Sequence, residues 1–170
     1  MPLDKGALLG FLQEVDKELV AAITLVAVGG TALTLLDAKT STIDVDFTIP
    51  GNDYRVFKKV LHSISHGFQV DCWRDGMVFS QILPDDYLKS SITIKKMKHI
   101  HLRALHPVDI VVTKIGRLDA RDKQDIETCV KKFKLTKNQI AKRAEQVEYV
   151  GRGENYEINL NHVLKNIVKK

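Results

Sequence analysis

A chain of 170 residues with 44% hydrophobic content can bury the core of one domain, or of one domain with a small helical appendage, and is too apolar for disorder. No run approaches the ~18 apolar residues of a bilayer span, and the start, Met1-Pro2-Leu3-Asp4-Lys5-Gly6, lacks the basic region and apolar core of a signal peptide, so a cytoplasmic protein is expected. The net charge of +5 conceals an asymmetry: residues 1–88 hold 7 Lys/Arg against 12 Asp/Glu, and residues 89–170 hold 19 against 9.

Leu8, Phe11, Leu12, Val15 and Leu19 recur at helical spacing and predict an amphipathic helix over 4–20. Residues 24–28 read as a short buried strand running into Gly29-Gly30, residues 31–37 as a helical turn, and residues 43–49 as a second strand. Pro50-Gly51-Asn52 breaks the chain. Asn52 or Asp53 is placed to cap a helix whose apolar positions are Tyr54, Phe57, Leu61 and Ile64. After Gly67, residues 68–73 form a third strand, and Asp75-Gly76 signals a hairpin before a strand over 77–82. Residues 91–105 alternate as one or two strands, with Ile92 and Ile94, then Ile100 and Leu102, on one side.

Pro107 opens a helix carrying Ile110, Val111, Lys114, Ile115 and Leu118. A second, around 121–133, turns Ile126, Cys129, Val130 and Phe133 inward. Thr136 caps a third, in which Ile140, Ala144 and Val147 face the core. Gly151-Arg152-Gly153 stops it, and residues 160–168 form a short terminal helix. Strands and helices alternate early and helices dominate late. The expectation is an α+β chain: a core over 1–106, with C-terminal helices over 107–170 packed on it as a single compact unit.

The most informative stretch is 28–47. On a strand, residues i and i+2 share a side, so Asp44 and Asp46 present two carboxylates together. Two like charges held that close need a positive partner, and a divalent cation carrying phosphates suits them. The glycine pair adds backbone that approaches phosphate oxygens closely, because it has no Cβ. Thr31, Thr40 and Ser41 stand nearby as hydroxyl ligands for phosphate. The competing structural reading makes Gly-Gly a turn and the aspartates the polar side of an edge strand.

Val28-Gly29-Gly30, thirteen intervening residues, then Asp44-Val45-Asp46-Phe47 resembles the core signature of the nucleotidyltransferase superfamily, the DNA polymerase β-like fold. That resemblance implies a mixed β-sheet flanked by helices, a glycine pair at the triphosphate, and two aspartates on Mg2+, or on Mn2+ in its place. Many members have Gly-Ser where this chain has Gly-Gly, which removes one hydroxyl from the expected phosphate ligands. A third carboxylate on a neighbouring strand usually completes the set. Asp71, between Val70 and Cys72, occupies the matching place. Asp109, after Pro107-Val108, competes with it, although its position also suits a helix start. A site with two protein carboxylates is the remaining alternative.

The segment 105–127 resembles the Lys…Arg-Asp-x-x-Asp region of the nucleotidyltransferase-like toxins of abortive-infection systems and of related prokaryotic nucleotidyltransferase-like proteins. The resemblance implies that Lys114 projects toward the phosphates and that Arg121, Asp122 and Asp125 lie near the same cleft. Lys114 interrupts an apolar helix face, where a lysine either snorkels or meets an anion. The Arg121 cluster reads equally as a cap and salt-bridge group opening the next helix. The implied activity is Mg2+-dependent transfer of a nucleoside monophosphate from an NTP to a hydroxyl on RNA, a protein or a small molecule, with a cognate antitoxin as partner and no membrane. A catalytically silent nucleotide-binding module, or an RNA- or partner-binding protein acting through its basic helices, are the rival readings.

His99 and His101 form a His-x-His pair without a third zinc ligand at suitable spacing, so a basic strand with Lys95, Lys96, Lys98 and Arg103 is the simpler account. Trp73 and Tyr87 are read as core residues in preference to base-stacking ones. Cys72 and Cys129 are read as small buried hydrophobes in preference to a disulfide.

Overall fold

The computed structural model describes residues 2–168. In chain order the elements are α1 (Lys5–Glu18), β1 (Ile23–Ala27), α2 (Gly29–Leu35), β2 (Val45–Ile49), α3 (Asp53–Ser63), β3 (Val70–Arg74), β4 (Met77–Val78), β5 (Gln81–Ile82) and α4 (Tyr87–Ser90). These are followed by β6 (Ile92–Lys96), β7 (Ile100–Ala104), α5 (Pro107–Val112), α6 (Ala120–Phe133), α7 (Lys137–Gln146), β8 (Glu148–Tyr149) and α8 (Gly153–Asn166). The fold is α+β. A five-stranded mixed sheet in the order β3-β2-β1-β7-β6 is accompanied by a small three-stranded sheet, β4-β5-β8. Among the described residues no helix is long and apolar enough to cross a membrane.

β1 is the central strand, antiparallel to β2 and parallel to β7; β2 in turn runs parallel to β3. The end of β1, the starts of β2 and β3, and the end of β7 therefore meet at one edge of the sheet. Leu25, Val26, Ala27, Val45, Phe47, Ile49, Leu102 and Ala104 are fully buried on these strands, as near-continuous apolar runs in a sheet covered on both faces require. Phe47 meets Phe57 of α3 edge to face at 5.7 Å. α1 buries Leu8, Phe11, Leu12 and Val15, the stripe that its periodicity predicts, and Leu19 beyond its end is buried too. Asp16 near its C-terminus is also buried; its Oδ1 accepts from the Ile100 and His99 amides at 2.7 and 2.8 Å, tying α1 to the start of β7.

Several expectations shift in detail. Asp44 lies in the bend just before β2, which starts at Val45. Asn52 makes no capping bond; instead Asp53 Oδ2 accepts from the Thr24 amide at 2.9 Å and fastens α3 to β1. The strand expected over 77–82 is broken at Phe79 into β4 and β5. The helix opened by Pro107 ends at Val112, where the Thr113 hydroxyl donates back to the Asp109 carbonyl at 2.7 Å, and Leu118 turns to a φ of 50°. Thr136 caps α7 in a reciprocal capping box with Gln139. β8 was not foreseen, and α8 starts at Gly153, a full two turns before the expected residue 160. Both cysteines are free thiols, Cys129 fully buried and Cys72 half-buried.

Candidate active site

Gly29 follows β1 directly and has a φ of +55°, the left-handed region that suits glycine. A Cβ at Gly29 would lie 3.7 Å from Asp46 Oδ2, and one at Gly30 would lie 3.0 Å from Thr42 Oγ1 and 3.5 Å from Lys39 Nζ. The glycine backbone thus runs beside the carboxylate and a lysine, with little room for a side chain at Gly30. Two threonines fix the backbone of the aspartate pair. The Thr31 hydroxyl donates to the Asp44 carbonyl at 3.0 Å and accepts from the Asp46 amide at 2.9 Å; the Thr42 hydroxyl donates to the same carbonyl at 2.8 Å. Thr31 is fully buried, so it positions Asp46 and does not offer its hydroxyl to the cleft.

Asp71 on β3 is the register partner of Asp46 on β2. Burial, then the Asp71 charge, then the Asp44 charge push the Asp46 carboxyl up to about 7, and Lys114 and Arg117 only partly offset them. Asp46 is 8% exposed, and its Oδ1 accepts no hydrogen bond from any described residue. An orphaned buried carboxylate oxygen is costly, by roughly 1–3 kcal/mol or more for a charged group. This is the observation against which a cation can be tested. An all-oxygen donor set suits a hard divalent ion such as Mg2+ or Mn2+, and Asp46 Oδ1 is a vacant ligand atom with two further carboxylates acting on it. Among the described residues no group of three or more His, Cys, Asp or Glu side chains forms a ready metal cage. Asp44 and Asp46 are the residues that would hold such an ion.

The opposite wall is cationic and already partnered. Lys114, 8% exposed, places Nζ 3.0 Å from Asp125 Oδ2 and 3.4 Å from Asp122 Oδ1. Arg117 grips Asp122 with two bonds, Nε at 2.8 Å and Nη2 at 2.9 Å. Lys39 Nζ is 3.1 Å from Asp125 Oδ1. Asp122 is also the N3 residue of the α6 capping box with Asp119. Its burial pushes the carboxyl up, but the Arg117 bond and the Lys114 and Arg117 charges prevail and hold it below the usual range. Both walls enclose one cleft of about 310 Å3, to which Gly29, Gly30, Asp44, Asp46, Lys114 and Arg117 all contribute.

Of the other residues singled out in the sequence, Ser41, Arg121, Asp122 and Asp125 line this cleft. Arg121 is exposed. Thr40 opens instead onto a separate concavity with Lys5 and Asp37. Asp109 is also placed elsewhere. It is 1% exposed and held by Arg143 through Nε to Oδ1 and through Nη2 to Oδ2 at 3.0 Å. Lys39, Arg117 and Phe79 line the cleft without having been foreseen. Arg117 stands three residues after Lys114, a helical spacing that signalled it; Lys39 and Phe79 come from turns and carried no local signal. His99 and His101 take up structural contacts: His99 Nδ1 lies 3.2 Å from the Asp16 carbonyl of α1, and His101 Nε2 on β7 lies 3.2 Å from Thr93 Oγ1 on β6.

Searches of curated proteins and of solved structures return no match. A family model described as "Nucleotidyltransferase of unknown function (DUF6036)" matches residues 7–166, a span that takes in both walls of the cleft. The chain belongs to this family of nucleotidyltransferases.

Proposed function

We propose that the cleft transfers a nucleoside monophosphate from an NTP to a hydroxyl acceptor, releasing pyrophosphate, with Mg2+ or Mn2+ held by Asp44 and Asp46. The observation that carries this reading is Asp46: a buried carboxylate with a vacant oxygen and a carboxyl raised to about 7, facing Lys114 and Arg117 across one cleft. A bound divalent ion would supply charge stabilisation for the attacking and leaving oxygens.

The remaining roles fall to the chain's own side chains. Gly29 and Gly30 let the polyphosphate approach the main chain. Lys114, Lys39 and Arg117 offset charge on the departing pyrophosphate, exchanging part of their contact with Asp122 and Asp125 for contact with phosphate oxygens. Asp71, beside Asp46 in register, receives the proton of the acceptor hydroxyl. The transferred group thus passes between a carboxylate wall, which orients the acceptor, and a cationic wall, which receives the leaving group.

The acceptor we favour is a macromolecule, RNA or protein, because residues 89–170 carry 19 Lys/Arg against 9 Asp/Glu and such an excess draws in polyanions and acidic surfaces. Supply of each α-labelled NTP with Mg2+ to pools of RNA and of protein tests the reading. Label should move to one pool with release of unlabelled pyrophosphate, and the Asp44→Ala/Asp46→Ala double variant should transfer none. Transfer that persists in the double variant overturns the mechanism. Nucleotide binding that is intact in that variant, without transfer in either protein, would establish a silent binding module instead.

A further inference from the structure

A second cavity, of about 290 Å3, adjoins the phosphate cleft and shares Gly29, Phe79, Lys114, Arg117 and Asp122 with it. Its far side is made by the small sheet, through Val78, Gln81 and Tyr149. Polar groups there are already satisfied: the Gln81 amide donates to the Val78 carbonyl at 2.9 Å and accepts from the Gly116 amide at 3.0 Å. A Cβ at Gly116 would lie 2.8 Å from Tyr149 Cε1 and would meet the Gln81 side chain as well. The glycine therefore permits a close-packed wall while the space in front of it stays open.

Phe79 stands at the boundary of the two cavities. Its φ is 52° and it is 42% exposed. A bulky residue in that region is strained by about 1–3 kcal/mol, and such strain concentrates at ligand clamps. The ring is braced from Trp73 at a centroid distance of 4.6 Å and carries the Arg117 guanidinium at 4.8 Å. Trp73 is on β3, two residues from Asp71, so the carboxylate strand also supports the ring.

We infer that this cavity holds the nucleobase and ribose of the NTP whose phosphates occupy the adjoining cleft, with Phe79 as the stacking platform. The inference rests on the nucleotide reading above and adds the site of its base. Each cavity alone lies near the lower end of the ~300–1,000 Å3 range of ligand pockets. Together they match one ligand that is anionic at one end and flat and largely apolar at the other. Neither Trp73 nor Tyr87 is placed to stack on the base: Trp73 stands behind Phe79, and Tyr87 is 2% exposed with its hydroxyl donating to Asp75 at 2.8 Å.

Calorimetric titration with the α,β-methylene analogues of ATP, GTP, CTP and UTP, and with inorganic triphosphate, all with Mg2+, tests this. The proteins are the wild type, Phe79→Tyr and Phe79→Asn, the last because asparagine tolerates positive φ and removes the ring. At least one nucleotide should bind the wild type roughly tenfold or more tightly than triphosphate, the effect of one stacked base. Phe79→Asn should abolish that advantage, so that nucleotide and triphosphate bind this variant equally tightly, while Phe79→Tyr should keep it. Nucleotide affinity unaffected by Phe79→Asn, or equal loss of nucleotide and triphosphate, overturns the base site. Triphosphate binding with no nucleotide preferred also overturns it and spares the phosphate cleft. Failure of the wild type to bind either ligand overturns both.

Discussion

Asp46 and Asp71 are direct partners across the parallel β2–β3 ladder, so two carboxylates from separate strands occupy one level of the sheet. Like charges placed opposite one another destabilise a sheet. The Asp46 amide is nonetheless held by Thr31 at 2.9 Å, and Asp44 adds a third negative charge from the preceding bend. The fold thus maintains an electrostatic strain, which the proposed divalent cation would relieve.

The strain has a pH signature. Burial and the Asp71 and Asp44 charges raise the Asp46 carboxyl from 3.8 to about 7. For an acid raised by folding, the contribution to stability is full below the unfolded value and is lost as pH rises through the folded one. Without divalent cations, the Asp46 share of stability should therefore decline between about pH 4 and 7. Asp46→Asn should remove this decline and raise stability at pH 8 by on the order of 4 kcal/mol, at about 1.4 kcal/mol per pKa unit. Urea denaturation at pH 5 and pH 8 measures it, and equal pH slopes in the two proteins would count against the assignment.

Thr31 acts on the site through the backbone. Thr31→Val keeps the shape but leaves the buried Asp46 amide unpaired, which should cost about 1–3 kcal/mol. Thr31→Ser should recover most of it. Denaturation midpoints decide the matter: if Thr31→Val is as stable as the wild type, the hydroxyl is not the clamp.

Asp71 and Asp109 separate by opposite outcomes. Asp71→Asn should weaken Mn2+ binding by about tenfold, a change of roughly 1.4 kcal/mol, without a large loss of stability. Asp109→Asn breaks a buried pair with Arg143 and should cost about 3 kcal/mol while leaving Mn2+ affinity unchanged. The reverse pattern would make Asp109 the functional carboxylate.

Lys114 is partnered by Asp122 and Asp125, yet Asp125 keeps Lys39 and Asp122 keeps Arg117 when it is removed. Lys114→Met should therefore fold and bind Mg2+-triphosphate roughly tenfold less tightly, with a shallower salt dependence. Unchanged affinity would assign Lys114 to α6 packing alone.

Local patterns made the front of the chain legible. The α1 stripe, the Gly29-Gly30 turn and the Asp44-Val45-Asp46 spacing each depend on residues within a few positions of one another. Asp71 stood out only through the family resemblance, and its level with Asp46 is set by the parallel β2–β3 register, which no local pattern carries. The cationic wall was only half legible: Lys114 interrupts an apolar face, but Lys39 joins it through Asp125, 86 positions away, a pairing set by how α6 packs on α2. Phe79 fell within the run 77–82, expected as one strand. The turn there becomes visible only when β5 pairs on its other edge with β8, about 70 residues later.

The carbon-13 titration of the Asp46 carboxyl tests most directly the proposal that Asp46 holds a divalent cation. Without divalent ions the midpoint should lie near 7. With saturating Mg2+ and an α,β-methylene NTP it should fall by about two units or more, because a bound cation favours the charged form. A midpoint that stays near 7 under those conditions, while the nucleotide is bound, would contradict the account.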